Sequence, residues 1–408
     1  MQLIDLWYRT AQFAMDLGCR VLPWRKPELV QGDGCSKEIP VLLEKCNARN
    51  VMVVTGRHVG KSLAPAILEE IKSAGMEYVH FDAVEANPST TTVESIVSLY
   101  TEKGCDSFLA IGGGSPLDAA KAAAARVVKP GKTLDKMAGI FKVMHRLPTF
   151  IAVPTTAGTG SETTIAAVIT DAETHRKYAI MDLSLVPHYA VLDPELTRGL
   201  PPHTTAATGM DALTHAVEAY LCCVNTTAES LRMAEEAAVA VFKYLERAYA
   251  DGNDMEARAA LLEAAFKAGF AFTRSGVGNI HAIAHTLGGL YGIAHGLANA
   301  VILPIVLEDY MQHGGKAVVN KLAKLSQLCG LASGQNKETM ARAFIKEIYD
   351  MNSRMGIPRG FEQIKDEDIP KMIDWALAEA NPTYPVPVIY DKKHCRAVIE
   401  KIREMARG

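Results

Sequence analysis

The sequence predicts a protein in two parts, an α/β half built on a parallel sheet and then an all-helical half. Three observations predict this division. The first half alternates short, continuously apolar runs with helical patterns, which is typical of parallel strands covered by helices on both faces. Residues 192–202 then hold three prolines and a glycine, which interrupt regular structure. From Thr204 onward, nearly every segment has helical periodicity.

The apolar runs of the first half predict strands at 51–55, 78–81, 107–111, 150–153 and 166–170. Helical patterns between them cover 63–74, 92–104 and 116–127, and those of the second half begin with 210–220, 230–248 and 255–272. We place the domain boundary near residue 200. Residues 1–200 form the predicted α/β domain, and its first 25 residues are an amphipathic helical extension that packs on the body of the protein. Residues 201–408 form the predicted helical domain.

The composition is that of a folded globular protein. Hydrophobic residues make up 49% of the 408 and charged residues 22%, so buried apolar surface offsets the entropy of ordering. A formal charge of −3 gives no basic excess, which argues against nucleic acid or an anionic membrane as partner.

Cysteine usage and the N-terminus predict a cytoplasmic protein. The eight cysteines form no CxxC and no regular spacing, so neither a disulfide framework nor a thiolate zinc site is expected. The N-terminal apolar stretch is interrupted by charges at Asp5, Arg9, Asp16 and Arg20, unlike a signal peptide. No window approaches the ~20 uninterrupted apolar residues of a membrane span.

A glycine-rich turn follows the predicted strand at 107–111, in the segment FLAIGGGSPLDAAK. Gly112, Gly113 and Gly114 permit positive φ and close backbone approach, and Ser115 with Pro116 fit the N-cap and first position of a helix. Free amides and the helix dipole there favour an anionic phosphate. The GxGxxG fingerprint is incomplete, because a leucine stands where its third glycine would be. A purely structural tight turn is the alternative.

A second polar loop, PTTAGTGSETT at residues 154–164, follows the predicted strand at 150–153. Five threonines and a serine surround two glycines, so this loop offers many hydrogen-bond donors to a polar ligand. A solvated turn is the alternative. Because both loops leave strands of one parallel sheet, they would line the same edge, and together they favour a dinucleotide.

Histidines and an aspartate in the second half suggest a metal site. Asp211 and His215 are spaced i, i+4 on one helix face, as are His281 and His285. A glycine pair then breaks the second helix, so His295 returns from a separate element. Either pair alone is commonly a helix-face ion pair or a core histidine. Their joint occurrence in apolar segments favours one divalent cation, with nitrogen and oxygen ligands that suit Zn²⁺ or Fe²⁺.

These segments, GGGSPLDAAK, PTTAGTGSE, DALTHAVEAY and HAIAHTLGGLYGIAHG, resemble the iron-containing (group III) alcohol dehydrogenase family over most of residues 40–390. Its members include lactaldehyde reductase, 1,3-propanediol dehydrogenase and butanol dehydrogenases. The resemblance implies a Rossmann-like N-terminal domain and an all-α C-terminal domain, the dehydroquinate synthase-like architecture, with the active site between them. It further implies a metal-dependent, NAD(P)-linked alcohol dehydrogenase or aldehyde reductase that uses Fe²⁺ or Zn²⁺ with NAD(H) or NADP(H). A homo-oligomer, dimer or larger, is expected.

The resemblance also assigns residues to the site. The family's metal ligands fall on Asp211, His215, His281 and His295, and a further active-site histidine near the nicotinamide falls on His285. The implied cofactor contacts are Gly113, Gly114, Ser115 and Asp118 at the pyrophosphate, Thr155, Thr156, Ala157 and Gly158 at the nicotinamide ribose, and Asn87, Val168 and Lys177. Phe272 falls on an aromatic position that lines the substrate pocket.

Two features depart from the family pattern. The extension before residue ~26 is longer than usual and is a candidate oligomer contact. Gly56 stands where NAD-preferring members carry an acidic residue, so we predict that NADP(H) is accepted. The alternative is that residues 56–62 form a solvated turn and NAD binds through its other contacts.

Some functional alternatives stay open. A glycerol dehydrogenase-like or dehydroquinate synthase-like enzyme, or a non-catalytic homologue, would share this architecture. His285 is either a proton relay or a structural residue behind the metal.

Overall fold

The computed structural model describes residues 3–174 and 176–407. The chain forms two compact units: Pro23–Leu200 is one, and the other combines the N-terminal helix α1 (Leu3–Arg20) with the chain from Pro201 onward. The division between the two units falls between Leu200 and Pro201, beside the proline-rich stretch. Our assignment of the N-terminal extension to the α/β domain is not what the structure shows, since α1 groups with the helical unit.

Polar side chains attach α1 to the helical unit. Arg9 donates to the carbonyls of Val386 and Pro387 at 2.7 and 3.1 Å, and Gln12 donates to those of Pro382 and Tyr384. Large apolar side chains point to solvent instead, with Trp7 59% and Phe13 62% exposed, whereas Gln12 is 1% exposed. The helix is amphipathic as predicted, but the side that packs on the protein is the polar one.

The N-terminal unit is an α/β layer structure around a six-stranded parallel sheet. Its strand order is β1-β9-β6-β4-β2-β3, and a second, three-stranded sheet has the order β5-β8-β7. The strands are β1 Glu28–Gln31, β2 Asn50–Thr55, β3 Glu77–Phe81, β4 Ser107–Gly112, β5 Gly139–Ile140, β6 Thr149–Pro154, β7 Ala166–Thr170, β8 Lys177–Met181 and β9 Tyr189–Leu192. The helices are α2 Ile39–Lys45, α3 Arg57–Ser62, α4 Ala64–Ser73, α5 Thr90–Lys103, α6 Gly114–Val128 and α7 Leu134–Met137.

All five predicted strands are present, with two differences in arrangement. The strand predicted at 166–170 belongs to the smaller sheet, where it pairs antiparallel with β8. The sequence analysis missed four strands, β1, β5, β8 and β9, of which β1 and β9 pair with each other at the edge of the main sheet. Strand β1 is mostly exposed, so it lacks the apolar run that marks a buried strand.

Small side chains let α6 lie close against the sheet. Six alanines of this helix are fully buried: Ala119, Ala120, Ala122, Ala123, Ala124 and Ala125. On the same side of the sheet, Phe108 of β4 stacks between Tyr100 and Phe150 at centroid distances of 4.6 and 6.0 Å. Burying such a ring is worth about 1.5–3 kcal/mol, so this cluster fixes the register of β4 and β6 beneath the glycine-rich turn.

The second unit is helical, as predicted. Its further helices are α8 Pro202–Leu221, α9 Ala228–Ala250, α10 Met255–Ser275, α11 Asn279–Tyr291, α12 His295–His313, α13 Gly315–Leu328, α14 Lys337–Arg354, α15 Ile369–Ala380 and α16 Lys392–Glu404. Helix α11 continues through Gly288 and Gly289, contrary to our expectation, and ends at Gly292, whose φ of +66° favours glycine. No helix within the described residues has the length and apolar character needed to cross a bilayer.

Candidate functional site

Four polar side chains converge inside the helical unit. Helix α8 carries Asp211 and His215, α11 carries His281, and His295 is the first residue of α12. One potential ligand atom from each lies within 4.8 Å of the others. His281 Nε2 is 2.9 Å from His215 Nε2, and His295 Nε2 is 3.5 Å from Asp211 Oδ1. The structure thus brings together the four residues that the sequence suggested as a metal site.

A glycine next to His295 makes this convergence possible. A Cβ on Gly296 would lie 2.4 Å from the carbonyl oxygen of Ala207 and 3.3 Å from Asp211 Cβ. The N-terminus of α12 therefore reaches α8 only because residue 296 has no side chain. The AHG sequence places His295 against Asp211 for this steric reason.

Glu218 supports the cluster from behind, and our sequence reading missed it. Its Oε2 is 2.5 Å from His281 Nδ1, and its Oε1 accepts a hydrogen bond from the Ile280 amide at 2.8 Å. A cation can bind His281 Nε2 only if Nδ1 carries the proton, and Glu218 is the acceptor placed to hold it. The signal was present in the sequence, because Asp211, His215 and Glu218 are spaced i, i+4, i+7 on one face of α8.

Burial controls the charge of this pair. It lowers the pKa of His281 well below its usual value, and the neighbouring histidines lower it further. Burial also raises the pKa of Glu218 to about 8, and a cation on His281 Nε2 would lower it again, so that Glu218 accepts the Nδ1 proton as a carboxylate. His281 is therefore a neutral imidazole, which is the form that binds a metal.

Asn299 marks the point where the lone pairs converge. Its Nδ2 lies 2.7 Å from Asp211 Oδ1, 3.1 Å from His281 Nε2 and 3.2 Å from His295 Nε2. Its Oδ1 is buried without a hydrogen-bond partner among the described residues. Lone pairs from a carboxylate and imidazoles directed at one point suit a divalent cation, and the nitrogen and oxygen donor set fits Fe²⁺ or Zn²⁺.

His285 lies beside the cluster and not within it. Its ring stacks on His295 at a centroid distance of 5.1 Å, and its Nδ1 is 2.7 Å from Glu379 Oε1. Tyr384 donates to the same Glu379 oxygen at 2.8 Å. Burial favours the neutral carboxyl, but the His285 charge and the hydrogen bonds from His285 and Tyr384 outweigh it and lower the pKa of Glu379. Sequence reasoning missed Glu379 and Tyr384, which lie far from His285 along the chain.

Phe272 lies against the imidazole ring of His215. It stacks on His215 with a centroid distance of 4.3 Å and an interplanar angle of 18°. Its position on α10 therefore flanks the cluster, and its assignment to a substrate pocket stays a prediction.

In the N-terminal unit, the glycine-rich turn joins β4 to α6. The helix begins at Gly114, so Gly113 is the N-cap and our assignment of Ser115 to that position was wrong. Gly112 has a φ of +156°, and a Cβ there would lie 2.6 Å from Pro116 Cγ. Gly114 does not have the positive φ that we allowed for it. Its lack of a side chain matters because a Cβ would lie 2.9 Å from Thr159 Cγ2 of the second polar loop.

The second polar loop packs directly on this turn. The Thr155 amide donates to the Gly112 carbonyl at 2.9 Å, and a Cβ on Gly113 would contact Thr156 at 3.2 Å. Ala157 and Gly158 follow, both buried. The two loops therefore form one surface at the carboxyl ends of β4 and β6, as predicted.

The other predicted cofactor residues divide into two groups by their hydrogen bonds. Asn87, Ser115 and Lys177 form a connected set, because Lys177 Nζ donates to Asn87 Oδ1 at 2.6 Å and the Asn87 amide donates to Ser115 Oγ. Asp118 is instead used internally. Its two oxygens accept hydrogen bonds from Ser161 Oγ at 2.6 Å and from the Val168 amide at 3.0 Å.

Lys121, which our sequence reading did not select, holds the second loop in shape. This fully buried lysine donates to the carbonyl oxygens of Thr164 and Ala166, each at 3.0 Å, and also to that of Ser161. Burial lowers its pKa to about 8.

Gly56 caps the short helix α3 at the end of β2. Its φ is −82°, so a side chain is allowed there, although a Cβ would lie 3.2 Å from the Val84 carbonyl oxygen. Arg57 and His58 follow directly and are exposed. No carboxylate occupies this position, as the sequence indicated.

Comparison with known proteins decides the family. The profile of iron-containing alcohol dehydrogenases matches residues 26–194, and the C-terminal profile of the Fe-containing alcohol dehydrogenase family matches residues 205–403. The chain belongs to the iron-containing alcohol dehydrogenase family. It is 35% identical over 347 residues to an NAD-dependent methanol dehydrogenase from Bacillus methanolicus, covering 84% of this chain and 90% of that protein.

Other relatives of this alcohol dehydrogenase use the phosphorylated cofactor or have solved structures. It is 34% identical over 338 residues to an NADPH-dependent butanol dehydrogenase from Clostridium saccharobutylicum, covering 81% of this chain and 85% of that protein. A solved 1,3-propanediol oxidoreductase superposes with a TM-score of 0.89 at 32% identity, covering 94% and 100% of the two chains. The predicted fold and enzyme class are therefore confirmed: this is a metal-dependent, NAD(P)-linked alcohol dehydrogenase or aldehyde reductase.

Proposed function

We propose that the cluster of Asp211, His215, His281 and His295 is the metal centre at which this enzyme interconverts a primary alcohol and its aldehyde. The convergence of these four ligand atoms within 4.8 Å carries the proposal. Fe²⁺ or Zn²⁺ bound there would supply a Lewis acid that polarises the substrate oxygen. Three neutral imidazoles and one carboxylate leave the site a net charge near +1, which favours the more negative form of the substrate.

The chain's own residues prepare this centre before any substrate binds. Glu218 holds the Nδ1 proton of His281, and the stacked ring of Phe272 limits the rotation of His215. Phe272, which is only partly buried, is also the aromatic residue that we propose for the substrate pocket, where its ring would contact the carbon chain of an alcohol. These contacts restrict ligand movement, which reduces the entropy lost when the reactants are brought into line.

We propose that His285 moves the proton to or from the substrate oxygen. Glu379 binds its Nδ1, which leaves Nε2 as the atom that exchanges the proton. The Tyr384 hydroxyl fixes the Glu379 carboxylate, so the imidazole has a set orientation. A histidine so held can act as a general acid or base.

The nicotinamide dinucleotide would bind at the two loops of the N-terminal unit. Gly113, Gly114 and Ser115 open α6 with free amides, which are suited to a pyrophosphate. The segment Thr155, Thr156, Ala157 and Gly158 would contact the nicotinamide ribose, and Asn87 with Lys177 would contact the rest of the nucleotide. Asp118 and Val168 would contribute indirectly. The Val168 amide donates to the Asp118 carboxylate, and this hydrogen bond joins α6 to β7 and holds the two loops in place.

We propose that the protein is located in the cytoplasm and forms a homo-oligomer, a dimer or larger. The eight cysteines, all within the described residues, form no disulfide, as expected in a compartment that keeps thiols reduced. The exposed apolar side chains of α1, including Trp7, Phe13 and Leu17, would be covered at a subunit contact. Light scattering of the wild-type protein, compared with a Trp7→Ser/Phe13→Ser variant, tests the oligomer and this contact together.

Metal removal tests the proposed chemistry. Chelation should abolish turnover, Fe²⁺ or Zn²⁺ should restore it, and metal analysis should detect the ion at the Asp211 cluster. His281→Ala should lose that metal and the activity together, whereas His285→Ala should keep the metal and lose rate. A fully active metal-free preparation would refute the proposal. Net accumulation of NAD(P)H with an alcohol distinguishes a dehydrogenase from a synthase-like lyase, which regenerates its nucleotide.

A further inference from the structure

A second group of histidine and carboxylate side chains converges within the described residues, at the opposite end of α12 from His295. Asp309 and His313 lie one turn apart at the C-terminal end of α12, and His394 lies in the first turn of α16. One ligand atom from each is within 4.8 Å of the others. None of the three residues has a part in the chemistry proposed above.

Both imidazoles meet the same carboxylate oxygen. His394 Nε2 lies 2.7 Å from Asp309 Oδ1, and His313 Nδ1 lies 3.0 Å from it. The centroids of the two imidazole rings are 4.7 Å apart and the ring planes are inclined at 70°, so the edge of one ring faces the other. Two imidazole nitrogens and one carboxylate oxygen are therefore gathered at one point.

The neighbouring residues hold this group in place. The Tyr390 hydroxyl donates to Asp309 Oδ2 at 2.7 Å, which leaves Oδ1 for the histidines. Asp391 accepts a hydrogen bond from the His394 amide at 2.7 Å and so caps α16. The side chains of Asp309, His394 and His313 are 13%, 22% and 50% exposed, so the group opens to solvent on the His313 side.

We propose that Asp309, His313 and His394 form a second divalent-cation site, and that its ion is Zn²⁺. The donors are two nitrogens and one oxygen, a set that zinc uses with water in its fourth position. Tetrahedral zinc with ligand bonds near 2.0–2.1 Å separates its ligand atoms by roughly 3.3 Å. The observed 2.7 and 3.0 Å separations reach that spacing through small rotations of the side chains.

Zinc at this point would join the end of α12 to the start of α16. Without a cation, both histidines meet the Asp309 carboxylate, His313 Nδ1 also lies 3.1 Å from the Asp309 backbone carbonyl, and the His394 ring lies against Tyr390, all at a partly exposed site. With three protein ligands and an open position, binding should be weaker than at the four-residue Asp211 cluster. The expected consequence is a higher thermal midpoint in the presence of micromolar Zn²⁺, through stabilisation of the folded state by the bound ion.

The test is Zn²⁺ titration of the purified holoenzyme, followed by calorimetry and by the thermal midpoint. Wild type should bind one equivalent of Zn²⁺ beyond the metal it already holds, with a rise of several degrees in the midpoint. His313→Gln and His394→Gln should each weaken this additional binding at least tenfold. His203→Gln, which removes an exposed histidine elsewhere on the helical unit, should leave it unchanged.

Two results would overturn the proposal. One is wild-type protein that takes up no additional equivalent at 100 µM Zn²⁺, which would make the group a set of hydrogen bonds only. The other is additional binding that both glutamine variants retain in full, which would place the ion elsewhere. If His394→Gln does not fold, the half-exposed His313→Gln decides alone. Absorption bands of Co²⁺ added in place of Zn²⁺ then report directly whether a histidine ligand has been lost.

Discussion

Glu218→Gln is the sharpest test of how the metal cluster is supported. Glutamine keeps the volume of the buried side chain and one carbonyl acceptor, but it removes the second acceptor and the negative charge. Glu218 accepts from the Ile280 amide and faces His281 Nδ1 at 2.5 Å, so one of these two bonds must be lost. A hydrogen bond to a charged group contributes about 1.5–3 kcal/mol. The dissociation constant for Fe²⁺ or Zn²⁺ should therefore rise about 10- to 100-fold.

The measurement is competition for the metal against a chelator of known affinity, with metal content determined on the folded variant. Glu379→Gln is the matched control, because it makes the same chemical change behind His285, which lies outside the cluster. It should leave metal affinity unchanged and lower kcat. A Glu218→Gln affinity within about twofold of wild type would refute the argument, as would an equal loss of metal in both variants.

Three other predictions concern the N-terminal unit. Gly114→Val should raise the dissociation constant for nicotinamide nucleotide at least tenfold, because its Cβ would lie 2.9 Å from Thr159 Cγ2; unchanged binding by a folded variant contradicts this. Burial, with help from nearby arginines, lowers the pKa of His188 to about 4. The unfolded chain takes up this proton near pH 6.5, so stability is complete above 6.5 and falls toward pH 4, by about 2 kcal/mol after allowance for solvent screening. Urea denaturation should show this loss in wild type and not in His188→Asn. Gly56→Asp should reduce kcat/KM for NADPH far more than for NADH, and a wild type that prefers NADH about a hundredfold would contradict the argument.

Much of the fold was readable because it depends on local pattern. Buried parallel strands such as β2 and β4 are continuous apolar runs, and the helical half shows its periodicity directly. Strand β1 could not be found in this way, because it pairs through its backbone while its side chains remain largely exposed. The position of α1 was unreadable for a related reason, since hydrogen bonds to distant carbonyl oxygens fix it and its apolar surface does not.

The metal-site residues could be predicted from the sequence because their spacing places them on shared helix faces. Asp211 and His215 share a helix face, and their residue types are uncommon in an apolar helix unless something binds them. Lys121 shows the limit of such reading. Its partners are backbone carbonyls of residues 161–166, which no side-chain pattern in the sequence reveals. Whether a buried lysine acts on a ligand or on the protein's own loop depends on the folded chain.

The attachment of α1 has a consequence for how the protein is made. This helix is synthesised well before the carbonyls of Pro382, Tyr384, Val386 and Pro387 that receive its hydrogen bonds. The unit Pro23–Leu200 is continuous in sequence and can fold while the rest is still being translated. Throughout that interval the polar side of α1, with Arg9 and Gln12, has no carbonyl acceptors to bind. Docking of α1 therefore waits until residues 382–387 have been synthesised, and a chain released before them would leave this helix unattached.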